Sequence, residues 1–220
     1  MSVRDEKKQQ THQAFINAAL KLCYEKGSFS CVSLRELSQT VDRVPTAFYR
    51  HFDDMQQLGL ELVDQASHDV RHVMHHLGKM MIQQPTANIQ QRADFFFTSV
   101  IASKETWHFF ISGRSNGPFE IRHALQREYD FLLQDIVSRL ADLPDFQALK
   151  DPKKIELAAE LFLQLLLSFA TECLNIQLLY SEEIQQQKQK ALKDFSLAKI
   201  QFLYESINIK NPLNTGFFLK

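Results

Sequence analysis

Apolar positions recur at helical spacing along almost the whole chain, and no stretch alternates with the period of a strand. Near the start, Phe15, Ala18, Ala19, Leu22 and Cys23 trace one helix face, and Gly27 stands just past its end as a C-cap. Ser33 then precedes Leu34, with Glu36 three residues on, which is the pattern of a capping box. Leu34, Leu37 and Val41 give this short second helix a single apolar face. After a break at Asp42–Arg43, Pro45 occupies a first-turn position where its missing N–H costs no hydrogen bond. Phe48 and Phe52, four apart, form the inward side of a third short helix. A long helix is predicted from about Asp54 to Gln83, carrying Leu58, Leu62, Val70, Met74 and Leu77 and closed by Pro85. Further helices are predicted at about 87–103, 105–112, 119–142, 153–180 and 182–207. Their breaks are GRSNGP (113–118), LPDF (143–146) and Tyr180–Ser181. The expected fold is all-α, with about nine helices.

The first fifty residues read as a long helix, a short helix, a tight turn and a second short helix. Two short helices too small to stand alone, joined by a turn, are the signature of a helix-turn-helix. The expected division is a helix-turn-helix domain at 1–53 and a larger helical domain for effector binding and dimerisation at 54–220. Charge sharpens this picture. The net charge of −1 argues against a generic polyanion binder, yet residues 1–52 hold eight Lys/Arg against five Asp/Glu. That leaves +3 at this end and −4 on the rest, a distribution that suits a local contact with nucleic acid. Three cysteines without a CxxC pair fit a reduced, cytoplasmic protein. No signal peptide is expected, and polar residues interrupt the apolar stretch 157–179, so no membrane span is expected either.

The run SLRELSQTVDRVPTAFYRHFDDMQQL, residues 33–58, resembles the N-terminal domain of TetR-type transcriptional repressors. The capped second helix, the turn, and the ending FYRHF before an acidic start to the fourth helix carry the likeness. A finer likeness is to the branch that represses unsaturated-fatty-acid biosynthesis, whose members sense long acyl thioesters. It rests on the form of VPTAFYRHF (44–52), on LGLELVD (58–64) and on Arg114, Ser115 and Gly117. The chain departs from the pattern in the turn, where the family has glycine and a β-branched residue and this sequence has Asp42 and Arg43. Aspartate tolerates a left-handed backbone better than most residues. Arg43 either snorkels outward to a phosphate or marks a turn of different shape. The lysine that usually follows the histidine–phenylalanine pair is replaced by Met55.

The resemblance implies a division of labour. Phe48 and Phe52 dock the third helix on the first two. Val44, Pro45, Thr46 and Ala47 lie at its N-terminal end, and the small residues there can approach base edges and thymine methyls. Tyr49 and His51 are expected on the phosphate backbone, Arg50 on phosphate or guanine, and Arg43 on phosphate. Ser33 combines its cap with a phosphate contact. Such modules read palindromic double-stranded DNA as dimers, and the last two long helices supply the homodimer surface. Leu161, Leu165, Ser168 and Glu172 stripe one, and Ile184, Leu192, Phe195, Phe202 and Leu203 stripe the other. The same stripes equally close a monomer core.

Eighteen phenylalanines is a high count, and aromatics crowd the central helices. By residue type alone they are core first. The family likeness points to an effector cavity instead, with Met74, Phe96, Trp107, Phe110, Arg114, Phe131 and Phe169 as its candidate residues. The expected effector is a hydrophobic small molecule, an acyl-CoA-like thioester by the branch likeness. It would lie between the fourth helix and the one beginning near 153, its head group on Arg114 or Arg122. Asp64, His68, His72 and His76 follow one another at i+4 with His75 adjacent, but successive positions drift around the helix, so no metal is expected. Glu120–His123 lacks the second copy that a di-iron bundle needs, and Ser196–Lys199 lacks the companions of a serine nucleophile, so neither an enzyme nor a cofactor is expected. A further reading is a helical acyl-binding or interaction module whose DNA head is degenerate.

Overall fold

Helix is the only regular structure among the described residues, which are 3–83, 89–147 and 151–206 of a computed structural model. The elements are α1 (Val3–Lys26), a 3₁₀ turn (Phe29–Cys31), α2 (Leu34–Thr40), α3 (Pro45–Phe48), α4 (Met55–Gln83) and α5 (Ile89–Ala102). They continue with α6 (Lys104–Asn116), α7 (Phe119–Ala141), α8 (Pro144–Gln147), α9 (Pro152–Leu179) and α10 (Glu182–Ser206). The expected terminator Pro85, and expected helical positions 87, 88 and 207, lie outside the described residues.

Two segments expected as breaks are partly helical. Residues 113–116 of the GRSNGP stretch continue α6, and only Gly117 and Pro118 lie outside a helix, the Gly117 N–H returning to the Gly113 carbonyl at 3.1 Å. Gly113 is there for closeness: a Cβ on it would stand 2.6 Å from Leu125 Cδ1 on α7. In LPDF, the Leu143 carbonyl accepts from the N–H groups of Phe146 and Gln147, both at 3.0 Å, winding the single turn α8. That turn buries Phe146 among Leu140, Ala158, Ala159 and Tyr204.

The chain forms two compact units. One comprises Met1–Val70 and Ser103–Glu128, the other Arg71–Ala102 and Tyr129–Lys220. They do not divide at residue 53. In the first unit α1 packs along α6, and Phe29 meets Phe109 edge-on at 6.2 Å, which draws α6 in beside the short helices. Its core contains Phe15, Phe48, Phe52, Trp107, Phe109 and Phe110, all essentially inaccessible. In the second unit α9 packs on α5 and α10. By length and composition α9 could cross a membrane. It is buried along Leu163, Leu167, Phe169, Ala170 and Leu174, while Leu157, Leu161, Ser168 and Glu172 stay exposed, so burial covers one side and not most sides.

The turn after α2 rests on one unusual residue. Asp42 has φ of 54°, the left-handed region, where a β-carbon crowds the backbone. Its N–H bonds to the Gln39 carbonyl at 3.0 Å and that of Arg43 to the Ser38 carbonyl at 2.9 Å, closing α2 as a glycine would. Asp42→Val is expected to cost about 1–2 kcal/mol, and Asp42→Gly to match or slightly exceed the wild type, in urea denaturation. A valine variant as stable as the wild type would rule out the left-handed turn.

Candidate nucleic-acid interface and ligand cavities

The interface starts at the cap of α2. Ser33 Oγ accepts from the Glu36 N–H at 3.3 Å, and Glu36 Oε2 accepts from the Ser33 N–H at 3.4 Å and from its hydroxyl at 2.8 Å. Lys26 Nζ donates to Glu36 Oε1 at 2.6 Å. These hydrogen bonds, Lys26 first and Ser33 next, pull the Glu36 carboxyl down to about 2. The predicted capping box is present, but it spends the hydroxyl proton of Ser33 on Glu36. Exposed Ser33 is a cap in this arrangement and offers no donor to a phosphate.

Beyond the turn, the chain sorts its side chains by burial. Arg43 is exposed, its Nη1 donating to the Asp42 carbonyl at 2.8 Å, so of the two readings of this residue the outward one fits and the turn keeps its shape. Val44, Pro45 and Thr46 are exposed and Ala47 half-buried, while Phe48 is fully buried. After α3 the chain tightens to i+3 bonds, Arg50 N–H to the Ala47 carbonyl at 3.2 Å and His51 N–H to that of Phe48 at 2.9 Å. This leaves Tyr49 and Arg50 exposed, Tyr49 at 59%, and returns Phe52 to the core. His51 is only half outward. Its ring lies 5.9 Å from those of Phe15 and His12, and its Nδ1 is buried with no hydrogen-bond partner among the described residues.

Two positioning contacts escaped the sequence reading. His12 on α1 stacks on Phe52 with centroids 4.5 Å apart, and its Nε2 lies 2.6 Å from Glu61 Oε2 on α4. The Asp54 carboxylate accepts from the Gln57 N–H at 2.7 Å while the Gln57 amide oxygen accepts from the Asp53 N–H at 2.6 Å. The reciprocal pair fixes the start of α4 and was legible as Asp-x-x-Gln. The His12–Glu61 contact, 49 residues apart, was not.

The second unit holds two apolar cavities. One, of about 90 Å³, is lined by Met74, Gly78, Ile136, Arg139, Leu140 and others; its neighbour, of about 120 Å³, by Ala93, Phe96, Phe97, Phe169, Leu197 and others. Leu77, Met81, Phe162 and Leu166 line both. Of the candidate ligand residues, Met74, Phe96 and Phe169 are thus at cavity walls. Trp107 and Phe110 are instead fully buried core of the first unit, and Arg114 there donates to the Gln126 amide oxygen at 3.3 Å. Phe131 is 63% exposed and lines neither cavity, because its position on α7 falls opposite buried Leu132 and Tyr129. Arg122 is exposed. The sequence reading missed Arg92, although it stands one turn before Phe96 on the same face of α5. The histidine face is engaged by neighbours: His75 Nδ1 lies 2.7 Å from Arg139 Nη2, and the His76 ring 4.4 Å from that of Phe95. Among the described residues no group of His, Cys, Asp or Glu is placed to hold a metal.

No protein-family model matches the chain. An uncharacterized HTH-type transcriptional regulator of Haemophilus influenzae is 32% identical over 139 residues, 63% of this chain and 67% of that protein. The chain belongs to the HTH-type transcriptional regulators. The crystal structure of NalD, the secondary repressor of the MexAB-OprM multidrug efflux pump in Pseudomonas aeruginosa, superposes with a TM-score of 0.59. The match covers 94% of this chain and 99% of NalD at 17% identity, so it is a likeness of fold, and that fold is TetR-like.

In this regulator the half-turned His51 has an electrostatic consequence. Burial first, then the charges of His12, Lys8 and Arg50, lower its pKa below the ordinary 6.5. The ring is therefore neutral at pH 7. The unfolded imidazole takes up its proton near 6.5 and the folded one only at lower pH, so acid favours the unfolded regulator. Stability from His51 is present above that value and lost as pH falls through the folded-state pKa. Thermal melts from about pH 8 to 5 are expected to show a steeper acid decline for the wild type than for His51→Gln. Parallel curves would contradict the assignment.

Proposed function

We propose that this regulator is a repressor that binds a palindromic operator as a homodimer and answers a hydrophobic small molecule. The observation that carries the reading is the sorting in residues 43–52: Phe48 and Phe52 are buried, while Arg43, Val44, Pro45, Thr46, Tyr49 and Arg50 form one exposed surface with Ala47 and His51 at its edge. Two hydroxyls and two guanidiniums around small apolar residues suit a duplex, the polar groups gripping phosphate and the small ones fitting against base edges. In this reading residues 1–53 read DNA and 54–220 serve effector and partner.

The dimer part is supported by apolar residues left uncovered on the last two helices. Leu161 is 37%, Phe195 61% and Phe202 72% exposed, with Ile184 also outward. Leu203, expected on the same stripe, is buried inward. Large apolar groups rimmed by polar ones mark an association surface, and a two-fold dimer would repeat the DNA surface for half-sites one helical turn or a multiple apart. The Phe195→Glu, Phe202→Glu double variant is expected to run as a folded monomer in light scattering and to lose operator binding.

The effector part is supported by the two apolar cavities, and the acyl thioester by the branch likeness alone. α4 contributes Glu61, paired with His12, to one unit and Leu77 and Met81, in the cavity walls, to the other. An effector that favours one tilt of α4 would change operator affinity by its differential affinity for the two states.

The deciding experiment is retention of genomic fragments on the purified protein at near-physiological salt. One palindromic site is expected, with Tyr49→Phe costing about 1.5–3 kcal/mol of operator affinity if the hydroxyl meets phosphate. Arg43→Ala is expected to make the salt slope shallower by about 0.9 for each phosphate that the guanidinium neutralises. A folded dimer that retains no sequence would instead favour the ligand-binding module without a DNA-reading head.

A further inference from the structure

The larger of the two apolar cavities has one charged wall. Among the described residues that line it, Arg92 is the only charged side chain, and Ser196 and Tyr204 are the only other polar ones. The remaining lining is aliphatic and aromatic. Arg92 is held at this wall by α5, with Nη2 donating to the Met80 carbonyl at 3.4 Å, a long bond that a stronger acceptor can replace. Its burial pulls its pKa below the ordinary arginine value, against the influence of Tyr204 nearby. Ser196 is buried and its hydroxyl already donates to the Leu192 carbonyl at 2.7 Å, so it adds no donor.

The shape constrains the rest of the ligand. Neither cavity, at about 120 and 90 Å³, reaches the ~300 Å³ at the lower end of sites for drug-sized molecules. They are separated by the side chains they share, among them Met81 and Phe162. Met81 has three rotatable side-chain bonds and adapts easily. Phe162 rests edge-on against Tyr204, with centroids 5.1 Å apart, on the polar side of the larger cavity. A head group reaching Arg92 and Tyr204 therefore disturbs the same ring that partitions the two spaces.

We propose that the larger cavity binds a monocarboxylate amphiphile of medium chain length, its carboxylate bidentate on Arg92 and its tail passing Met81 and Phe162 into the smaller cavity. A planar carboxylate matches the guanidinium fork and its single charge. A phosphate monoester would bring about −1.5 to −2 charges against one cation, and a thioester carbonyl brings no charge at all. This deepens the effector part of the reading above and rests on it, while replacing Arg114 and Arg122 as the head-group anchor.

The test is calorimetry on the full-length protein without DNA, using sodium octanoate, octan-1-ol, octylamine and octyl phosphate. Octanoate is expected to bind at least tenfold tighter than the other three. Arg92→Gln is expected to erase that preference while leaving octan-1-ol binding unchanged, and Arg92→Lys to restore it in part. Equal affinity for octanoate and octan-1-ol, no binding of either, tighter binding of octyl phosphate, or a preference that survives Arg92→Gln would each overturn the proposal. Because no DNA is present, failure here leaves the repressor reading to its own experiment, and an operator found there does not rescue this site.

Discussion

The exposed surface of residues 43–50, proposed above to read DNA, depends on the burial of two phenylalanine rings. Phe48 and Phe52 stack with centroids 5.1 Å apart, and Phe15 of α1 meets both edge-on, at 5.6 and 6.1 Å. Each such ring removes enough apolar area from water to matter more than any polar contact in the segment; truncating one typically costs about 3–5 kcal/mol. A helix as short as α3 has no stability of its own. Its orientation is set by what it buries, and what it exposes follows as the remainder. The nine residues VPTAFYRHF thus combine an anchor with a display, and the polar groups can be chosen for a partner because the rings alone do the holding.

Much of this was legible because it is local. A capping box needs residues three apart, a docking face needs residues four apart, and both ends of each contact appear in one short window. Ser33–Glu36 and Phe48–Phe52 are of this kind. Even the departure at Asp42 could be read, since only a few residues accept φ near 54° and aspartate is one. The function of Ser33 could not, because its hydroxyl is committed through Glu36, which is in turn held by Lys26 from α1.

The cavities were hardly legible at all. Their walls combine α4, α5, α7, α9 and α10, and helical periodicity says which face is apolar without saying which apolar faces leave a gap. Trp107 and Phe110 were as good candidates by type as Phe96 and Phe169, yet they fill the core of a different unit. The cation proposed here differs from the one expected for a similar reason. Arg114 stood out because it falls in a glycine-flanked stretch that reads as a loop, and Arg92 did not because it falls inside a helix. The close approach at Gly113 turns that stretch into helix.

The last described helix, α10, shows why composition could not separate core from site from interface. On α10, Phe195 and Phe202 are two turns apart and face out, while Ser196, Leu197, Ile200 and Tyr204 face the larger cavity. A helix apolar on both sides has to be covered on both, since each exposed ring leaves apolar area in water at about 25 cal/mol per Å². One side is met within the chain and the other calls for a partner. In the proposed reading the ligand and the second subunit therefore bear on opposite faces of one rigid element. A ligand that shifts α10 by a fraction of a turn cannot leave the other face where it was, because packed surfaces accept discrete arrangements and not a continuum. Effector binding and subunit geometry would then be linked through α10 as well as through α4, and the linkage would act in both directions.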